Sequence, residues 1–77
     1  MTKQEKAVKH LKQLRGTGIS YKGFAAVAQM SVDSIYTYTR FPEKMTEEKA
    51  DYIESVIEIY FPVQLCAIRR IEANESK

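Results

Sequence analysis

The chain has 77 residues, 44% of them hydrophobic and 29% charged, which supports one small domain with a modest core. Its lone cysteine, Cys66, and lone histidine, His10, exclude an internal disulfide and Cys- or His-rich metal cages, and no Asp-rich calcium loop is present, so no metal or cofactor is expected. The net charge of +2 is unevenly divided: residues 1–40 hold seven bases against two acids, a net +5, and residues 41–77 hold five against eight, a net −3.

Helix 1 is predicted over Lys3 to Leu14, capped by Thr2. Val8 and Leu11, with Ala7 and Leu14, share one face, and the lysines lie on the other, which makes this a surface-type helix that includes His10. The opening "MTKQEKAVKHLKQLR" is charged throughout, with no apolar secretory segment. "RGTG" ends the helix, because Gly16 and Gly18 accept a left-handed backbone.

Ser20 caps a second helix, Tyr21 to Ala28, in which Phe24, Val27 and Ala28 project to one side and Ala25 flanks them. Gly23 within it marks a close approach or an exposed position. After "QM", Ser31 caps a third helix from Val32 to about Arg40, stopped by Pro42. At 100° per residue, Ile35 faces inward with Tyr38 and Thr39 within about 60° of it. Asp33, Tyr36, Thr37 and Arg40 then face outward.

"FPEKM" is a loop, and Thr46 caps a fourth helix running to about Tyr60. Its core stripe is Ala50, Ile53, Val56, Ile57 and Tyr60; its outer face is acidic, with Glu47 and Glu48 opposing the positive end of the helix dipole. Pro62 suits the first turn of a fifth helix to Glu72, aligning Leu65, Ile68 and Ile71, although "VQLCA" also reads as an alternating strand. "ANESK" is a frayed tail. The most apolar window, Ile53 to Ile68, is broken by Glu54, Glu58, Pro62 and Gln64, so no membrane span is expected and a cytoplasmic protein is. Phe24, Tyr38, Phe41, Tyr60 and Phe61 are assigned to the core, and Cys66 to a small buried site. The fold class is all-α: a bundle of about five short helices in one domain.

"FAAVAQMSVDSIYTYTR" resembles the helix-turn-helix of the lambda-repressor and Cro-like DNA-binding family. That motif has small residues in its first helix, a turn, a capping residue and two apolar anchors in its recognition helix. Ala25, Ala28, Met30, Ser31, Ile35 and Tyr38 occupy these places, and small side chains let the helices cross closely. The resemblance covers roughly residues 5–61, with the motif at about 20–41. One departure is Gln29, where the family usually has Gly at a turn of positive φ, which costs about 1 kcal/mol.

The resemblance implies a partner, double-stranded DNA, and roles for particular residues. Ser20, Tyr21 and Lys22 would anchor phosphate at the start of helix 2, and Arg40 and Lys44 would do so beyond helix 3. Ser31, Val32, Asp33, Tyr36 and Thr37 are the candidates for base edges, with Val32 or Thr37 touching thymine methyls. Asp33 either accepts from cytosine N4 or simply opposes the helix dipole, and the two roles are compatible. Lys3, Lys6 and Lys9 add long-range attraction without needing to touch DNA.

Such proteins usually dimerise to read paired half-sites. Tyr52, Ile59, Val63 and Cys66 are the candidate homodimer contact; the alternative is that helix 5 folds back and covers them. The function expected is a small transcriptional regulator, a repressor of the kind found in phages, plasmids and mobile elements. The rival is a protein-binding module on the same fold, an antirepressor or inhibitor, favoured by Asp33, Tyr36 and the acidic helix 4. No nucleophile with a base, acid–base pair or phosphate-cradling Gly loop is visible, so an enzyme is not expected.

Overall fold

In a computed structural model, which describes residues 1–75, the chain forms five α-helices and one 3-10 turn. These are α1 (Lys3–Gly16), α2 (Tyr21–Ala28), α3 (Val32–Arg40), α4 (Glu47–Tyr60) and α5 (Pro62–Glu75), with the 3-10 turn at Pro42–Lys44 between α3 and α4. No strand occurs among the described residues, which decides the ambiguity at "VQLCA" in favour of helix.

Hydroxyl caps start the first four helices. Thr2 Oγ1 accepts from Glu5 N–H at 3.1 Å while Thr2 N–H donates to the Glu5 carboxylate at 3.2 Å, a complete capping box. That exchange holds the Glu5 carboxyl below the ordinary Glu range. Ser20, Ser31 and Thr46 cap α2, α3 and α4 by accepting from the N–H groups of Gly23, Asp33 and Lys49. The α1 helix runs two residues past the expected Leu14 because its closing turn centres on Gly18, not Gly16. Ile19 N–H reaches back to Leu14 C=O at 3.2 Å, Gly18 N–H bonds Arg15 C=O at 3.1 Å, and Gly18 sits at φ +104°. This is the Schellman pattern, with glycine at its left-handed position. The α5 helix extends to Glu75, beyond the expected Glu72; the rest of "ANESK", residues 76–77, lies outside the described residues.

The core forms where α1 packs on α4 and α5, and α2 on α3 and α4. Leu11 and Leu14 of α1, Phe24 of α2, Ile35 of α3, Ile53 and Ile57 of α4 and Ile68 of α5 are its largest fully buried side chains. Phe24 and Phe61 stack with ring centroids 5.9 Å apart. Burying each such side chain contributes about 1.5–3 kcal/mol.

Several expected core residues lie outside it. Tyr60 is 61% exposed and Phe41 46% exposed. Phe41 immediately precedes Pro42, and Tyr60 is the last residue of α4, two positions before Pro62. Phe61, one residue past the end of α4, takes the core place expected for Tyr60, and Phe41 instead lies under the Lys44 ammonium, 4.9 Å from its ring centroid. Cys66 and Ile71 are also exposed on α5, so Cys66 is not a buried apolar filler.

His10 departs in the other direction: it is 8% exposed, one of the interior positions of α1. Its Nδ1–H faces both Glu54 oxygens of α4 at 2.7 and 2.9 Å, and its Nε2 lies 3.3 Å from Glu72 Oε1 of α5. Glu72 also meets Lys9 at 3.9 Å. Two carboxylates on opposite ring nitrogens favour the imidazolium, which donates at both. The His10 pKa is accordingly raised, chiefly by the hydrogen bond to Glu54, against the opposing effect of burial. A raised folded pKa means stabilisation that is complete below the unfolded value and lost as pH rises through the folded one. The His10→Gln variant is expected to lose about 1–2 kcal/mol at pH 6. In urea titrations from pH 6 to pH 9 the parent chain should lose stability and the variant should decline less; parallel profiles would show that the staple does not titrate in this window.

Candidate nucleic-acid interface

The α2 and α3 helices are joined by only Gln29, Met30 and Ser31. Gln29 adopts φ 57° and ψ 42°, the left-handed conformation expected at this turn despite its side chain. Met30 N–H donates to Ala25 C=O at 2.9 Å and Gln29 N–H to Ala26 C=O at 3.4 Å, repeating the closure that ends α1. Ala28 C=O accepts from the Tyr52 hydroxyl of α4 at 2.7 Å. The turn is therefore tied both to its own helix and to the one beneath. Ala25 and Ala28 are 3% and 1% exposed, so their small side chains lie in the interior, and α2 packs directly on α3.

Ile35 is the only buried residue of α3, with Val32 and Tyr38 partly buried against the core. Asp33, Tyr36 and Arg40 are exposed and Thr37 half-buried, in the arrangement expected from helical spacing. Thr39 faces neither way freely, since its hydroxyl donates to Tyr36 C=O at 2.9 Å. Asp33 stands in the first turn beside the N–H groups that Ser31 caps.

The other candidate residues are distributed less simply. Ser20, Lys22 and Lys44 are exposed, but Tyr21 is only 7% exposed. Its ring meets that of Tyr36 edge-on, with centroids 5.6 Å apart, and the Arg15 guanidinium lies over the same ring, 5.2 Å from its centroid. The start of α2 is thus directly adjacent to the outward face of α3. Arg15 was not among the residues singled out from the sequence, because only the packing of α1 brings it to this cluster. Gly23 leaves room for the Ser20 cap: a Cβ there would stand 3.3 Å from the Ser20 hydroxyl oxygen.

Of the expected dimer contact, Ile59 and Val63 are 69% and 75% exposed and Cys66 is also exposed, so α5 does not fold back over them. Tyr52 is partly exposed while its hydroxyl is engaged at the α2 terminus. Among the described residues no group of three His, Cys, Asp or Glu side chains is placed to hold a metal ion, and no helix is long and apolar enough to cross a membrane.

No protein-family model, curated protein or solved structure matches the chain.

The left-handed turn generates a direct prediction. Gln29→Gly removes the Cβ penalty at φ 57° and should stabilise the fold by about 0.5–1 kcal/mol, after allowing for glycine's greater unfolded freedom. A urea midpoint that falls in the variant would show that the Gln29 side chain makes a compensating contribution.

Proposed function

We propose that this chain is a small sequence-specific DNA-binding regulator, in which α2, the Gln29–Ser31 turn and α3 act as a helix-turn-helix. The observation that carries the reading is the adjacency of Tyr21 and Tyr36. It sets the N-terminal end of α2 beside an outward face of α3 that holds Asp33, Tyr36 and Arg40. Helix N-termini suit phosphate, and a second helix locked beside one suits the major groove. In this arrangement Ser20 and Lys22 hold one stretch of backbone, Arg40 and Lys44 another, and Ser31, Val32, Asp33, Tyr36 and Thr37 meet base edges. Tyr21 serves by orienting Tyr36, since its ring is buried in the core and meets the Tyr36 ring edge-on.

The mechanism is occupancy: the bound domain excludes a polymerase or competing regulator, as a repressor of a phage, plasmid or mobile element would. One α3 reads one half-site, so we further propose a homodimer through the exposed apolar residues Ile59 and Val63, with Tyr52 and Cys66 nearby in sequence. A second reading, a protein-binding module, is favoured by the exposed Asp33 carboxylate on the α3 face, which repels phosphate, and by a Tyr36 ring that is half exposed.

The two are separated by fluorescence anisotropy on a randomised duplex pool across a salt series, with sequencing of the bound fraction. The regulator should select a palindromic site with affinity falling steeply in salt. Lys22→Ala and Arg40→Ala should each weaken binding and reduce the salt slope by about one. Absence of duplex binding at low salt would reject the regulator in favour of the protein-binding module. For the dimer, sedimentation at increasing concentration should show association in the parent chain and its loss in Ile59→Asp; a monomer at every concentration would reject it.

A further inference from the structure

The bases of α1 recur every third residue: Lys3, Lys6, Lys9, Lys12 and Arg15. A three-residue step advances 300° round a helix, so this row winds backward by about 60° at each base. Its two ends therefore face different neighbours. Lys3 bonds Asp51 of α4 at 3.4 Å, and Lys6 lines the same groove as the α4 acids Asp51, Glu54 and Glu58. Lys9 reaches Glu72 of α5 at 3.9 Å. The last two bases have turned away from the acidic helices. Lys12 lines a groove of about 440 Å³ between α1 and the end of α3, with Glu5 and Lys9 of its own helix and with Thr39 and Arg40 opposite, and Arg15 lies over Tyr21, whose ring also meets Tyr36. Lys12, Arg15 and Arg40 are all exposed, and none forms an ion pair with another described residue.

The C-terminal half of α1 thus runs beside one edge of α3 in the opposite direction, with Arg15 and Tyr36 both against Tyr21 and Lys12 sharing a groove with Arg40. Acids neutralise the part of the row that turns toward α4 and α5. Beside α3 the one acid in the groove lining among the described residues is Glu5, which is engaged in the α1 capping box and pairs with none of Lys12, Arg15 and Arg40.

We propose that α1 belongs to the DNA interface, with Lys12, Arg15 and Arg40 forming a basic rail that seats backbone phosphates flanking the groove entered by α3. The inference rests on the DNA-binding reading and extends it to a helix outside the α2–α3 unit. A rail of this kind binds backbone of any sequence; it adds affinity and register, while discrimination stays with α3.

The test compares Lys12→Gln with Lys6→Gln, which removes the same charge from the α4 side of the same helix. Both folds are checked by circular dichroism, and both variants are titrated onto the selected duplex and onto a random one across a salt series. Lys12→Gln should weaken binding to both duplexes by the same factor, roughly fivefold to tenfold near 0.1 M salt, and lower the salt slope by about 0.9. Lys6→Gln should leave the slope at the parent value. If Arg40→Ala reduces the slope while Lys12→Gln keeps the parent affinity and slope, the rail is wrong and the DNA-binding reading stands. Equal losses in Lys12→Gln and Lys6→Gln would reduce the effect to net charge and also overturn the rail. A parent chain that binds no duplex rejects both proposals together.

Discussion

The seating of Ile35 is the constraint on which the exposed surface depends. It is the only buried residue in the nine of α3, and it is completely enclosed. Burial of one isoleucine contributes about 1.5–3 kcal/mol, too little to stabilise so short a helix in isolation. The rest comes from the Ser31 cap and from Val32 and Tyr38, three residues before and after Ile35. Those two positions lie about 60° to either side of the anchor, so they fix the rotation of α3 about its axis as well as its depth. Every outward direction on the helix follows from that rotation. The side that carries Asp33, Tyr36 and Arg40 is left without a core role.

Electrostatics divides the molecule along a different line. The excess of bases in the first forty residues and of acids in the rest does not persist as two opposed halves, because α1 packs against α4 and α5. Lys3 and Lys9 meet acids there, and His10 lies between Glu54 and Glu72. The exposed pairs contribute little individually at ordinary ionic strength. The histidine is different: it is nearly enclosed, and its ring joins three helices with three short contacts.

Much of this architecture was legible in the sequence because helix boundaries are carried by local chemistry. Thr2, Ser20, Ser31 and Thr46 cap the helices they were expected to cap, and Pro42 and Pro62 stand where α3 and α4 end. Helical spacing also separated the two sides of α3. It did not foresee which apolar residues lack a neighbour. Tyr60 lies on the predicted stripe of α4, yet the stripe outruns the core by one turn; Ile71 does the same on α5. His10 was misplaced for the converse reason, since its interior position comes from carboxylates that are 44 and 62 positions distant in the sequence. Of the candidate interface, the α3 face could be read from periodicity, whereas the Arg15–Tyr21–Tyr36 cluster joins three helices and has no local signature.

The hydroxyl caps have a further consequence, which concerns time. Each of the four fixes a helix start through a bond spanning only two or three residues, so α1 to α4 can be delimited before any distant part of the chain is in place. Single helices of this size form within about a microsecond, and helical domains rich in local contacts fold in microseconds to milliseconds. The contacts of longest sequence separation are those that close α4 and α5 on α1, and they carry the largest loop-closure cost. His10, whose partners come from both of those helices, engages completely only when both are in place.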